Sequence, residues 1–278
     1  MARHLALFLL SLASLLTACG GGGSSSNNLP GPDVSVTTPA TPASAASTPA
    51  YAYAGTVEHK SITSTNTGIT YPYHVYLPEG YATSGKSYTV IYATDGQWTF
   101  PAFSQMLDKR RKPMILVNIE QGPNGRRDID YTVGGAPTYI RFLKQELAPL
   151  IESTYRTALP RTFSGTSYGG LLGSLLLSTE DVQTPFFKTY FLFDGAFWAL
   201  TTKNIQDEAN RFAATRSLPV RLFLTSANNP GFVRDVDNFE ARYKGRGYTD
   251  LTIHRKDFNL AHNDVADPSF DWAIDLIE

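Results

Sequence analysis

Residues 162–178 read TFSGTSYGGLLGSLLLS, and within them Gly165-Thr166-Ser167-Tyr168-Gly169 spells G-x-S-x-G. A short strand-like stretch runs into the pentapeptide, and an apolar, small-residue helix pattern runs out of it. Two readings fit. One is a sharp strand-to-helix turn that exposes a nucleophilic serine, flanked by glycines because neighbouring backbones approach closely. The other is a glycine-rich helix start carrying an inert serine. The pentapeptide alone is weakly specific, so its surroundings decide between them.

Strand and helix patterns alternate on both sides of that stretch. Thr56–Thr63 and Thr70–Leu77 alternate in β fashion and are split by Asn66-Thr67-Gly68, a hairpin-like opening. Tyr88–Ala93 (YTVIYA) and Met114–Ile119 (MILVNI) are continuous apolar runs, as in strands buried on both faces of a parallel sheet. Helical spacing covers Trp98–Asp108 and then Pro137–Tyr155, where Pro149 is expected to introduce a kink. Strands are expected over Arg161–Ser164, Thr189–Phe193, Val220–Thr225 and Thr249–Arg255. Helices are expected over Ser167–Ser178, Asn204–Ser217, Val233–Arg246 and Pro268–Ile277. Repeated strand–helix units imply an α/β fold, a mostly parallel central sheet with helices on both faces.

The N-terminus lies outside that pattern. Arg3 and His4 precede an apolar run from Leu5 to Leu16, too short for a permanent membrane span and typical of a secretory signal. Leu16-Thr17-Ala18-Cys19 resembles a bacterial lipobox, in which the cysteine becomes the lipidated first residue. Residues 1–18 are therefore expected to be a lipoprotein signal peptide. Gly20 rather than Asp after the cysteine favours, by the same resemblance, the outer membrane, with the protein facing the periplasm. Cys19 is the chain's single cysteine, so no disulfide and no CxxC cluster can form. Residues 19–52 continue as a Gly, Ser, Asn, Pro, Thr and Ala tether, with too little apolar surface to offset ordering entropy. The folded domain is expected over residues 53–278. A net charge of −1 and one short basic run, Lys109 to Lys112, argue against nucleic acid as a partner. Neither a metal nor a cofactor is expected.

A serine hydroxyl is a poor nucleophile at neutral pH and needs a base. In the strand-turn-helix arrangement the order is Ser, acid, His, which directs attention downstream of Ser167. His254 falls within an expected strand, whereas His262 lies in the turn-rich stretch NLAHNDVADP just beyond it and is the candidate base. The acid is harder to assign. The usual position follows Val220–Thr225, but the residues there are SANNPGF, with Asn228 and Asn229 in place of a carboxylate. Asp194, in FLFDGAFW, ends the strand after the elbow helix. Asp235, further along, is expected to open the next helix, where capping is the commoner role for Asp. Asp194, Asp235 and a Ser-His dyad without acid all stay open.

Four stretches carry a resemblance: VIYATDGQWTF, VNIEQGPNGRRDIDYT, GGAPTYIRFLKQELAPLIESTYRT and SGTSYGGLLGSLLL. Together they resemble the esterase D-like branch of the α/β-hydrolases, which includes ferric-siderophore esterases, S-formylglutathione hydrolase and mycolyltransferases. The resemblance implies the α/β-hydrolase fold, Ser167 as nucleophile, His262 as general base, and an oxyanion hole from the backbone N–H groups of Tyr168 and Gln97. DGAFW stands where the family has an SPSFW-like segment, a second departure beside the missing acid. Arg126 and Arg127 are candidates to hold a substrate carboxylate or catecholate, or else to pair with Asp128 and Asp130 within their loop. Trp98 is a candidate to line an acyl or aryl pocket. The implied function is a cell-envelope serine esterase acting on a small-molecule ester. The alternatives are an acyltransferase of the mycolyltransferase type and a non-catalytic, ligand-binding envelope lipoprotein.

Overall fold

A computed structural model describes residues 51–181 and 183–277. The signal segment, Cys19 and the tether as far as residue 50 lie outside the described residues. The order begins with β1 (Thr56–Thr63), β2 (Thr70–Leu77), α1 (Tyr81–Ser84), β3 (Tyr88–Ala93), α2 (Gly96–Lys109), β4 (Met114–Ile119) and α3 (Arg126–Asp130). It continues with α4 (Ala136–Phe142), α5 (Ala148–Thr154), β5 (Thr157–Thr166), α6 (Tyr168–Ser178), β6 (Thr189–Phe193) and α7 (Thr202–Ala214). β7 (Arg221–Ser226), α8 (Pro230–Arg246), β8 (Thr252–Asp257) and α9 (Ala266–Asp275) follow.

The strands form one sheet in the order β1-β2-β4-β3-β5-β6-β7-β8, parallel from β4 to β8 and antiparallel at β1 and β2. The apolar runs explain why its centre is buried on both faces. Along β4, Ile115, Val117 and Ile119 join one hydrophobic cluster while Met114 and Leu116 join the other, the period-2 alternation of a strand between two helical layers. α4, α6 and α8 cover the first face through Tyr139, Phe142, Leu172, Leu176 and Phe239. α2 and α9 cover the second, where Phe103 stacks on Phe270 at 3.8 Å. The chain leaves β3 to form β4 on one side and returns to form β5 on the other. A crevice therefore opens at the carboxyl ends of β3 and β5, the usual ligand position in such sheets.

Three expectations need correction. The distortion between Pro137 and Tyr155 falls before Pro149, as a π-helical segment over Leu143–Leu147 that keeps Leu143 and Leu147 buried. Proline lacks the N–H and its ring crowds the carbonyl four residues back, and a wider turn just ahead of it relieves both. β5 begins four residues before Arg161. Its pairing with β3 shifts from Thr89↔Ala158 to Val90↔Arg161, so Leu159 and Pro160 bulge out of the ladder. α8 begins at Pro230, capped by the Asn229 side chain, so Asp235 lies inside the helix and does not open it.

The first described residues are tied down at the amino edge of the sheet. Asp108, near the end of α2, accepts hydrogen bonds from Tyr51 Oη (2.8 Å), Ala54 N (3.1 Å), Gly55 N (2.8 Å) and Tyr76 Oη (3.1 Å). Burial acts to raise its pKa, but these donors outweigh it and hold the carboxyl below its ordinary value. A carboxyl with a depressed folded-state pKa contributes stability above its unfolded pKa and loses it as pH falls toward the folded value. Asp108→Ala should therefore cost about 2–3 kcal/mol in urea unfolding at neutral pH. It should also flatten the loss of stability that the unaltered chain shows below about pH 4. An unchanged midpoint and an unchanged acid limb would contradict this role.

Candidate active site

Ser167 follows β5 directly, at φ 59° and ψ −117°, and α6 starts at the next residue. A plain helix start keeps its cap residue in extended backbone. Ser167 occupies a region that costs a non-glycine residue energy, and the surrounding bonds maintain it. Its N–H donates to Phe193 O and its carbonyl accepts from Ala196 N, each at 3.0 Å. A Cβ at Gly165 would lie 2.3 Å from the Gly169 carbonyl, and one at Gly169 would lie 2.4 Å from Thr94 Oγ1. Gly165 is required by the close approach of the Gly169 backbone and Gly169 by the Thr94 hydroxyl packed against it, the tight packing of a nucleophile elbow.

Asp194 directly follows β6, with φ 43° and a side chain wholly shielded from solvent. Its Oδ1 accepts from Ala227 N at 3.0 Å, and its Oδ2 lies 2.5 Å from His262 Nδ1. The loop after β7, which carries no acid, thus contributes a backbone N–H to the carboxylate of the neighbouring strand. Asn228 bonds to Leu260 O and Asn259, and Asn229 caps α8, so both asparagines serve the loops. Asp235 approaches Arg234 at 3.5 Å and makes no bond to His262. Phe232 packs on the His262 ring with centroids 4.4 Å apart. With its Nδ1–H donated to a carboxylate, His262 keeps Nε2 as an acceptor. His262 and Ser167 both line one cleft of about 510 Å³, together with Trp98, Arg127 and Thr166. His254 stays in β8, stacked on Phe223 at 4.5 Å, with burial lowering its pKa.

Gln97 and Tyr168 stand in the first turns of α2 and α6, where backbone N–H groups have no intrahelical partner. β3 and β5 pair as far as Ala93↔Ser164, which brings the two helix starts to the same crevice. Their dipoles both present a positive end there. The Gln97 side chain accepts from Gln121 N at 3.0 Å, joining this corner to the loop before α3.

The two arginines part company. Arg126 pairs with Asp130 inside the loop, as one of the two expected readings had it, and Asp130 also accepts from Tyr71 Oη at 2.7 Å. Arg126 does not line the Ser167 cleft. Arg127 pairs with neither Asp128 nor Asp130. Its Nε and Nη2 reach Asp95 Oδ1 and Oδ2 at 2.6 and 2.9 Å, and Nη2 also reaches Thr166 O at 3.4 Å. Burial raises the Asp95 pKa and Arg127 counters it. Sequence reasoning missed Asp95 as a partner, because nothing in a strand-end Asp-Gly turn points 32 residues onward. Trp98 and Trp198 are exposed, at 61% and 57%, and Trp198 stands 6.2 Å from Tyr168 between ring centroids.

A separate cavity of about 410 Å³ between α4, α6 and α7, lined by Val133, Ile140 and Leu175, shares no residue with the Ser167 cleft. Among the described residues, no group of three or more His, Cys, Asp or Glu side chains is placed to hold a metal ion.

A family model described as "Putative esterase" matches residues 64–209, just over half of the chain, a span that holds Asp95, Ser167 and Asp194 but ends before His262. No match was found among curated proteins. An IroE-like serine hydrolase from Shewanella oneidensis is similar in structure, with a TM-score of 0.68 and 26% identity over 77% of this chain and 78% of that one. The siderophore hydrolase EstA from Aspergillus nidulans has a TM-score of 0.65 and 19% identity, covering 80% of this chain and 93% of its own. The enterobactin and salmochelin hydrolase IroE has a TM-score of 0.60 and 18% identity, covering 79% and 93%. At such identities the last two speak for the fold alone. The chain belongs to the esterase family: it is a carboxylic ester hydrolase built on the α/β-hydrolase fold.

Proposed function

We propose that this esterase works through a Ser167–His262–Asp194 triad and an acyl-enzyme, on an ester carrying a flat aromatic group, at the bacterial cell envelope. The observation that carries the triad is the 2.5 Å contact of His262 Nδ1 with the buried Asp194 carboxylate, at a cleft shared with Ser167. Ser167 Oγ adds to the ester carbonyl as its proton passes to His262 Nε2. The carbonyl oxygen, now negative, is held by the N–H groups of Gln97 and Tyr168, and losing one such donor typically costs about 10²–10³ in rate. Collapse expels the alcohol, which takes the proton from His262. Water then attacks the acyl-enzyme by the same route, releasing the acid and restoring Ser167. Asp194 keeps His262 in the required tautomer and stabilises the imidazolium.

The aromatic preference rests on Trp98 and Trp198, two exposed rings near Ser167 that offer faces for stacking. The envelope location rests on the signal and lipobox at residues 1–19. The Asp194–His262 contact supports the catalytic reading over that of a non-catalytic binding protein.

A fluorophosphonate probe on the full chain should form an adduct on Ser167, found by peptide mass spectrometry. Ser167→Ala should abolish labelling, and His262→Ala should slow it by about 10³ or more. A folded protein that the probe leaves unmodified would refute the catalytic reading. Palmitate fed to expressing cells should label the unaltered chain and not the Cys19→Ser variant. Equal labelling of both would remove the anchor from the proposal.

A further inference from the structure

We propose that Arg127 is a positioning residue, holding the two halves of the oxyanion hole in register rather than binding a substrate anion. The proposal rests on the catalytic reading above. The two N–H donors come from separate segments, Gln97 after β3 and Tyr168 after β5. Sheet pairing aligns those segments only as far as Ala93 and Ser164. One further backbone bond, Thr94 N to Ser164 O at 3.0 Å, follows; past it the chains turn through positive φ, at Asp95 (63°) and Ser167 (59°), and bonds between β3 and β5 no longer set their spacing.

Arg127 bridges the gap. Its Nε and Nη2 grip both carboxylate oxygens of Asp95, two residues before Gln97, and Nη2 also reaches the carbonyl of Thr166, two residues before Tyr168. A planar guanidinium meets a carboxylate in a fixed two-pronged geometry that a single ammonium cannot reproduce. The group is itself confined. Trp98, Tyr131 and Tyr168 surround Cζ with ring centroids at 5.8, 5.6 and 5.4 Å, and Trp98 and Tyr168 belong to the very turns being joined. Asp95 is 4% exposed at its side chain, so water offers the carboxylate little competing solvation. Asp95 takes the Nε/Nη2 edge and Thr166 O the other side of Nη2, which leaves Nη1 alone for any further acceptor.

The test compares the full chain with Arg127→Lys on two esters of one aryl acid, one neutral and one bearing a free carboxylate on the alcohol side. The lysine keeps a positive charge beside buried Asp95, and its melting temperature checks the fold. The expected result is a fall in kcat of about 10²-fold on both esters with KM within about threefold, the loss seen when an oxyanion donor is displaced. Free guanidinium at millimolar concentration should restore part of the kcat of Arg127→Ala. A rise in KM confined to the carboxylate-bearing ester would overturn the proposal in favour of anion binding, and an unchanged kcat on both esters would also overturn it. Fluorophosphonate labelling of the unaltered chain separates the two ideas. Without a Ser167 adduct the catalytic reading fails and takes this proposal with it, whereas an adduct beside an unimpaired Arg127→Lys sinks the positioning role alone.

Discussion

The Asp194 carboxylate is the point on which the carboxyl edge of the sheet depends. It lies in a wholly buried position, where an ionised group is tolerated only with partners. It has two, the Ala227 N–H from the loop after β7 and His262 Nδ1 from the loop after β8. A single side chain thereby joins the ends of three neighbouring strands and fixes the ring that shares a cleft with Ser167. Burial makes that geometry demanding, since losing either partner would leave a charge in a low-dielectric site.

The rest of the fold supplies rigidity to that edge. The central strands are apolar on both faces, and the helical layers clamp them through stacked aromatic rings such as Phe103 on Phe270 and Phe197 on Phe239. Two helices begin where their strands end, and their free N–H groups converge at the crevice beside Ser167. The strained serine backbone persists because bonds from β6 and the following turn hold it, and because only glycine fits at positions 165 and 169. Chain entry is anchored at the opposite edge by Asp108.

Much of this was legible in the sequence, for reasons particular to each element. β1 to β4 fall on the expected residues because their runs alternate or are continuously apolar between turn signals. The elbow was readable because a strand, two glycines and an apolar helix occur in the right order around Ser167. Elements were missed where periodicity had nothing to show. α3 is five residues long and mostly charged, and the first part of β5 is interrupted by Pro160. The acid stayed open because the choice between Asp194 and Asp235 depends on which loop packs against His262, a tertiary fact that no local pattern encodes. The Arg127–Asp95 pair was hidden for the same reason. A charged side chain has many possible partners in sequence, and the sheet order selects one.

The most direct measurement is kcat/KM on one aryl ester for Asp194→Asn beside Asp235→Asn, with folding checked by melting temperature. If Asp194 orients and stabilises His262, the first change should lower kcat/KM by about 10³–10⁴ while the second leaves it within about twofold. An Asp194→Asn enzyme that keeps activity within about tenfold would contradict the triad and leave Ser167 and His262 acting as a dyad.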